Sequence, residues 1–188
     1  MADRRLSPIP WHAVFGDDRP VEFEIGPGRG EILLAWARAA RETNFFAVEH
    51  ASGMATELAG RAAAAGLANV RVVGGDARCV VRRLVPDASV AAYHIYFPDP
   101  WPKTRHRQRR LFSDRAFAPA LRRTLRPDGR VHVASDLPAL HAAMCGALVE
   151  AGFVRDDVTP PPRLRPTTKF ERKYAAAGTW YACFRRGD

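Results

Sequence analysis

The sequence predicts an α/β fold with a mostly parallel sheet and helices on both faces. Strand-like runs alternate with helical ones, the first strand enters a glycine-rich turn that opens a helix, and acidic residues stand repeatedly at strand ends. Val21 to Ile25 reads as a short strand. It meets Gly26-Pro27-Gly28-Arg29-Gly30, after which Ile32, Leu33, Trp36 and Ala39 recur at helical spacing over Glu31 to Arg41. Phe45 to Val48 reads as a second strand ending at Glu49, and the alanine-rich run Gly53 to Ala65 as a helix closed by Gly66.

Val70 to Val73 forms a third expected strand, followed by Gly74-Gly75-Asp76 and a short helix over Arg78 to Leu84. Val90 to Phe97 is the fourth strand. Phe112 to Leu125 reads as a helix stopped by Pro127-Asp128-Gly129, Arg130 to Ala134 as the fifth strand, and Leu137 to Ala151 as a helix stopped at Gly152. Phe153 to Val158 and Trp180 to Arg185 lack a clear helix between them, so an antiparallel hairpin at one edge is expected. The chain shows no repeat and no interdomain linker. Its 188 residues suit one domain, with an N-terminal lead segment at 1–20, a basic loop at 102–111 and a basic, proline-rich connection at 159–178.

Composition narrows the class. Hydrophobic residues make up 47% and charged residues 26%, the balance of a globular domain rather than a disordered or fibrous chain. No apolar run approaches a membrane span and Met1 to Pro10 has no signal-peptide core, so the expectation is a cytoplasmic protein with no membrane partner. Cys79, Cys145 and Cys183 are far apart and in no ligand spacing, and the histidines show none either. The expectation is buried thiols and no metal. Monomer and homodimer both stay open.

A net charge of +9 favours polyanionic partners. The charge is clustered: Lys103 to Arg110 carries five permanent cations in eight residues, Lys103, Arg105, Arg107, Arg109 and Arg110. A second basic stretch runs from Arg163 to Lys173. An exposed, merely solvated loop is the plain alternative.

Open parallel sheets collect ligands beyond the carboxyl ends of their strands. The first end carries Gly26, Gly28 and Gly30, and its G-x-G-x-G spacing differs from the G-x-G-x-x-G of dinucleotide binders. Glu24, two residues before the first glycine, suits the cationic methionine end of S-adenosylmethionine. Glu49 at the second end suits ribose hydroxyls. Asp76 at the third is placed to accept from an adenine amine, and serves equally as a turn residue. At the fourth end, Phe97-Pro98-Asp99-Pro100-Trp101-Pro102 has prolines that should restrict Phe97, Asp99 and Trp101 to extended conformations, giving a stiff loop. Trp101 fits either a stack on a base or packing of the loop onto the core.

The FPDPW loop, the basic run to Arg110, Ser135-Asp136 and Thr168-Lys169-Phe170-Glu171 together resemble the bacterial tRNA (guanine-N7)-methyltransferase family, over roughly Trp11 to Arg185. The resemblance implies a class I S-adenosylmethionine-dependent methyltransferase (Rossmann-like) fold, seven-stranded with an antiparallel edge strand. It implies methyl transfer from S-adenosylmethionine, leaving S-adenosylhomocysteine, to N7 of a variable-loop guanine in tRNA. Glu24, Glu49, Asp76 and Asp99 would be cofactor positions, with Asp99 also near the reacting base; a carboxylate there can balance the positive charge that passes to the purine, which makes Asp99 the candidate catalytic residue. Lys103, Asp136, Thr168, Lys169, Phe170 and Glu171 would bind substrate, and Arg105, Arg107, Arg109 and Arg110 would contact phosphate. Pro27 and Leu137 depart from the family's usual residues, and the segment before Trp11 is shorter than the basic extension of many relatives, an expectation of weaker tRNA affinity rather than altered chemistry.

Three rivals define the discriminating observations. A methyltransferase of another RNA or a small molecule leaves the basic segments and the TKFE tetrad without a purpose. A noncatalytic RNA-binding module has no need of strand-end acids that fit a nucleoside. An NAD-dependent oxidoreductase conflicts with the glycine spacing.

Overall fold

A computed structural model of the protein describes residues 7–100, 110–156 and 178–187. The helices are α1 (Trp11–Phe15), α2 (Glu31–Ala39), α3 (Ser52–Ala64), α4 (Ala77–Arg83), α5 (Phe117–Thr124) and α6 (Pro138–Glu150). The strands are β1 (Val21–Ile25), β2 (Asn44–Glu49), β3 (Val70–Gly74), β4 (Val90–Tyr96), β5 (Leu125–Ser135), β6 (Phe153–Asp156) and β7 (Trp180–Arg186). All seven lie in one sheet in the order β3-β2-β1-β4-β5-β7-β6. Strands β1 to β5 pair in parallel, and β7 runs antiparallel to both β5 and β6. The antiparallel pair expected at one edge is present, with β6 outermost and β7 inserted between it and β5.

Alternation along the strands divides the core between the two faces. Phe23, Phe46, Tyr93, Ile95, Val131 and Val133 face Phe15, Val81, Phe117, Leu121, Met144 and Leu148 from α1, α4, α5 and α6. Phe45, Ala47, Tyr96 and Ala134 face Leu33 and Trp36 of α2 and Leu58 and Ala62 of α3. Each fully buried large side chain contributes on the order of 1.5–3 kcal/mol, which offsets the ordering of the chain around the sheet.

The expected helix over 112–125 is broken in two. A single 3₁₀ turn covers Leu111–Ser113, and α5 begins only at Phe117. Asp114 separates them: its side chain accepts from the Ala116 N–H at 3.0 Å and its carbonyl from the Phe117 N–H. Pro119 is tolerated in a first helical turn and not in an interior one, so the helix has to start close before it. Strand β5 starts earlier than expected, at Leu125. Pairing passes from Val90 opposite Leu125 to Ala92 opposite Arg130, so residues 126–129, with the expected Pro-Asp-Gly stop, form an irregularity within the strand. The three thiols also differ: Cys183 is buried, Cys145 is half-buried and Cys79 is exposed, two positions along α4 from the buried Ala77.

The face covered by α2 contains an ionisable row. Glu24 of β1 stands opposite His94 of β4, which stands opposite His132 of β5. All three are buried, and the two imidazoles stack at 5.1 Å with planes 8° apart. Burial, and then the neighbouring His94, push His132 down to about 3. The unfolded chain therefore binds a proton here between about pH 6.5 and pH 3 that the folded chain refuses, and stability falls as pH drops through that window. His141 is shifted the same way by burial and adds to the slope. The urea midpoint is expected to fall between about pH 7.5 and about pH 5, above most carboxylate titration, and His132→Gln should flatten that fall. An equal fall in the variant would remove His132 as its source.

Candidate active site

The chain leaves β1 towards β2 and β3 on one side and returns to β4 on the other. Helices after adjacent β1 and β4 cover opposite faces, which leaves a crevice at the carboxyl ends of that pair. A cleft of 220 Å³ occupies this place, lined by Glu24, the turn residues Gly26 to Gly30, Glu31 and Ile32, and by Tyr96 and Phe97 across from them.

The turn is held by backbone conformation and by ties to its neighbours. Gly26, Gly28 and Gly30 all have φ in the left-handed region, at +70°, +54° and +68°. Gly30 is the most constrained: a Cβ there would lie 2.2 Å from Leu58 Cδ1 of α3, so glycine permits α2 and α3 to approach. The Gly26 N–H donates to the Val48 carbonyl at 2.9 Å and continues the β1–β2 ladder. The Pro27 carbonyl accepts from the Gly30 N–H at 2.8 Å, so the proline serves as acceptor in a turn that asks no N–H of it.

Glu24 is 5% exposed and lines the cleft, which puts a carboxylate at the wall of an otherwise glycine-rich cradle. Glu49 ends β2, where Oε2 accepts from the Gly28 N–H at 3.1 Å and Oε1 from the Ala51 N–H at 3.0 Å. One buried carboxylate thereby joins the glycine turn to the start of α3. A carboxylate has about four acceptor positions, so two donors leave capacity for hydroxyls of a ligand.

Asp76 caps α4, and its Oδ1 accepts from the Arg78 N–H at 2.9 Å while Oδ2 accepts from Arg78 Nη2 at 2.7 Å. Those guanidinium bonds hold its carboxyl below the usual range. Of its two sequence readings, the structure displays the turn-and-cap role.

At the end of β4 the chain departs from expectation. Phe97 has φ +50° rather than an extended conformation, although it precedes a proline. Its N–H donates to the Ala134 carbonyl at 2.9 Å and its ring packs against the cluster under α2 and α3, and these contacts hold a backbone that costs on the order of 1–3 kcal/mol. Asp99 is exposed beyond this bend. Arg110 reaches back, its Nε donating to the Pro100 carbonyl at 2.7 Å, so the last arginine of the basic run also ties the loop. Asp136 is half-buried directly after β5. Trp101, Lys103, Arg105, Arg107, Arg109 and Thr168 to Glu171 lie outside the described residues.

The structure thus gathers Glu24 and the three glycines in one cleft, with Glu49 bonded into the turn, Asp76 at the next strand end, and Asp99 and Asp136 at the ends of β4 and β5. This donor set fits a cationic nucleoside: a buried carboxylate beside an open backbone cradle, and a second acid at the neighbouring strand end. Sequence reasoning missed Tyr96 as a cleft wall, and missed the bonds His94 makes behind it to Glu22 at 2.9 Å and to Tyr96 at 3.0 Å. The signal was the i, i+2 alternation of Glu22 with Glu24 and of His94 with Tyr96, each placing polar groups on one sheet face. Among the described residues no group of three or more His, Cys, Asp or Glu side chains is arranged to hold a metal ion.

Glu49→Gln retains the shape of the side chain but turns an N–H₂ towards one of two backbone donors. The expected cost is about 1–3 kcal/mol of stability with a loosened glycine turn, measured by urea unfolding. Wild-type stability in this variant would show that the two bonds do not organise the turn.

Residues 18–183 match a family described as "Putative methyltransferase". The chain is 38% identical over 177 residues to a tRNA (guanine-N(7)-)-methyltransferase of Sodalis glossinidius, covering 91% of this chain and 73% of that one. It is 36% identical over 185 residues to the same-named protein of Psychromonas ingrahamii, covering 95% and 75%. Among solved structures, the 16S rRNA methyltransferase KamB superposes with a TM-score of 0.68 at 16% identity, over 98% of this chain and 96% of that one. The aminoglycoside resistance methyltransferase NpmB1 gives 0.62 at 16% identity, over 94% and 91%. These two likenesses establish the methyltransferase fold, and the sequence matches establish the family. The chain belongs to the tRNA (guanine-N7)-methyltransferase family.

Proposed function

We propose that the protein transfers the methyl group of S-adenosylmethionine to N7 of a variable-loop guanine in tRNA. The observation that carries this reading is the cleft at the β1–β4 switch point, with buried Glu24 against the glycine turn, in a chain of this family. Glu24 holds the amino end of the cofactor, and Glu49 adds ribose hydroxyls to the two donors it already accepts. Asp76 takes the adenine amine by giving up one of its Arg78 bonds. When bound, S-adenosylmethionine supplies an electrophilic methyl on a sulfonium centre.

Guanine N7 presents an in-plane lone pair and has no proton to lose, so no side chain has to act as a base. The work of the protein is to align N7 with the methyl and to balance the positive charge that the purine acquires. Asp99 does the second, from a loop whose Phe97 bend and Arg110 tie fix its base. Its carboxylate also accepts from the Watson–Crick edge of guanine, an edge that adenine cannot match. Asp136, Lys103 and Thr168 to Glu171 hold the substrate, and Arg105, Arg107, Arg109 and Arg110 contact phosphates, giving affinity without sequence information.

Incubation with unmodified tRNA and labelled S-adenosylmethionine, nuclease digestion and mass spectrometry should place the methyl on guanine N7; label on another atom would overturn the assignment. Asp99→Ala is expected to lose methyl transfer, by on the order of a hundredfold or more, with tRNA binding kept. Undiminished turnover would take Asp99 out of the chemistry. Replacing Arg105, Arg107 and Arg109 together by Ala should weaken tRNA binding and flatten its dependence on salt by roughly 0.9 in log–log slope for each phosphate that is no longer neutralised. An unaltered slope would place the phosphate-binding surface elsewhere.

A further inference from the structure

The hydrogen bonds around His94 reach Tyr96, a residue of the cleft wall. His94 is 3% exposed and bonds at both ring nitrogens, Nε2 with Glu22 Oε2 at 2.9 Å and Nδ1 with the Tyr96 hydroxyl at 3.0 Å. An ionised carboxylate only accepts, so Nε2 carries the proton in that bond. In the neutral ring Nδ1 is then the acceptor, and the Tyr96 O–H donates to it. A tyrosine whose hydrogen is committed in this way offers its oxygen lone pairs to its other surroundings.

Other contacts keep the ring in place. Trp36 of α2 lies against His94 with centroids 4.6 Å apart, and His132 stacks on it from β5. Burial holds His132 neutral at physiological pH, so the stacked ring brings no positive charge against His94. Glu24 stands directly opposite His94 in the β1–β4 pairing, and Tyr96 and Glu24 both line the 220 Å³ cleft.

We infer that His94, with Glu22 behind it, is a positioning residue that turns the Tyr96 hydroxyl so that its oxygen joins the Glu24 carboxylate as an acceptor for the cationic amine of the bound cofactor. This rests on the cofactor reading above and assigns the recognition of that end to a relay, Glu22 to His94 to Tyr96, rather than to Glu24 alone. Gln can both donate to Glu22 and accept from Tyr96, whereas Leu can do neither, so the two substitutions separate the relay from simple packing.

The test is S-adenosylhomocysteine affinity by calorimetry, with KM for S-adenosylmethionine and for tRNA measured alongside. His94→Leu and Tyr96→Phe should each weaken S-adenosylhomocysteine binding by about tenfold and raise KM for S-adenosylmethionine while KM for tRNA is unchanged. The double variant should be no worse than either single, because both remove one relay. His94→Gln should bind within about threefold of the wild type. Affinity within twofold of wild type in Tyr96→Phe, which removes one hydroxyl and leaves the fold intact, would overturn the inference even if His94→Leu fails to fold. So would losses that multiply in the double variant. A wild-type protein that does not bind S-adenosylhomocysteine would instead overturn the cofactor reading, and the relay with it.

Discussion

The two backbone bonds accepted by Glu49 join the glycine turn to the start of α3, and the rest of the cleft takes its position from that junction. Three left-handed glycines at alternate positions carry a high conformational entropy in the unfolded chain, and each is free to leave its native φ unless something holds it. The carboxylate holds Gly28, the β1–β2 ladder holds Gly26, and the packing of Leu58 leaves room at Gly30 for hydrogen alone. Pro27 stiffens the same stretch without removing a bond that the turn uses. A cradle preorganised in this way spends little of a ligand's binding energy on ordering the loop.

Behind the cleft, the central strands β1, β4 and β5 bury Phe23, Ile25, Tyr93, Ile95, Val131 and Val133 on one face and carry Glu22, Glu24, His94, Tyr96 and His132 on the other. Polar groups buried without partners would each cost a few kcal/mol. Here the histidine bridges a carboxylate and a phenol, and an indole and a second imidazole enclose it, so the face is both packed and polar. The arrangement ties sheet stability to the neutral state of His132 and ties the cleft wall to the proton positions of His94. Stability and ligand geometry thus share one set of side chains.

The loop after β4 shows strain placed where chemistry is expected. Phe97 leaves the sheet in a left-handed conformation that few phenylalanines adopt, with the Ala134 carbonyl on its N–H, and Arg110 closes the far side on Pro100. Asp99 sits between these two anchors. The proposed reaction, in which the nucleophile brings its own lone pair, asks for a charge held at a fixed point, and ties at Phe97 and Pro100 on either side of Asp99 suit that task at small entropic cost.

The residues that define the cradle were legible because their signals are local. A glycine required for positive φ, an acid two residues before it and an acid at the next strand end are all written within short windows of chain, and β1 to β5 followed from hydrophobic periodicity for the same reason. The asymmetry of α5 was in principle legible too, since Pro119 restricts where a helix can begin. What only the tertiary structure decided is which side chains meet across strands far apart in sequence. That Glu24 faces His94 and His94 faces His132 depends on the crossover that places β4 beside β1, and no local pattern specifies that register. The same holds for Phe97, where tertiary hydrogen bonding and packing outweighed the preference of a residue that precedes proline.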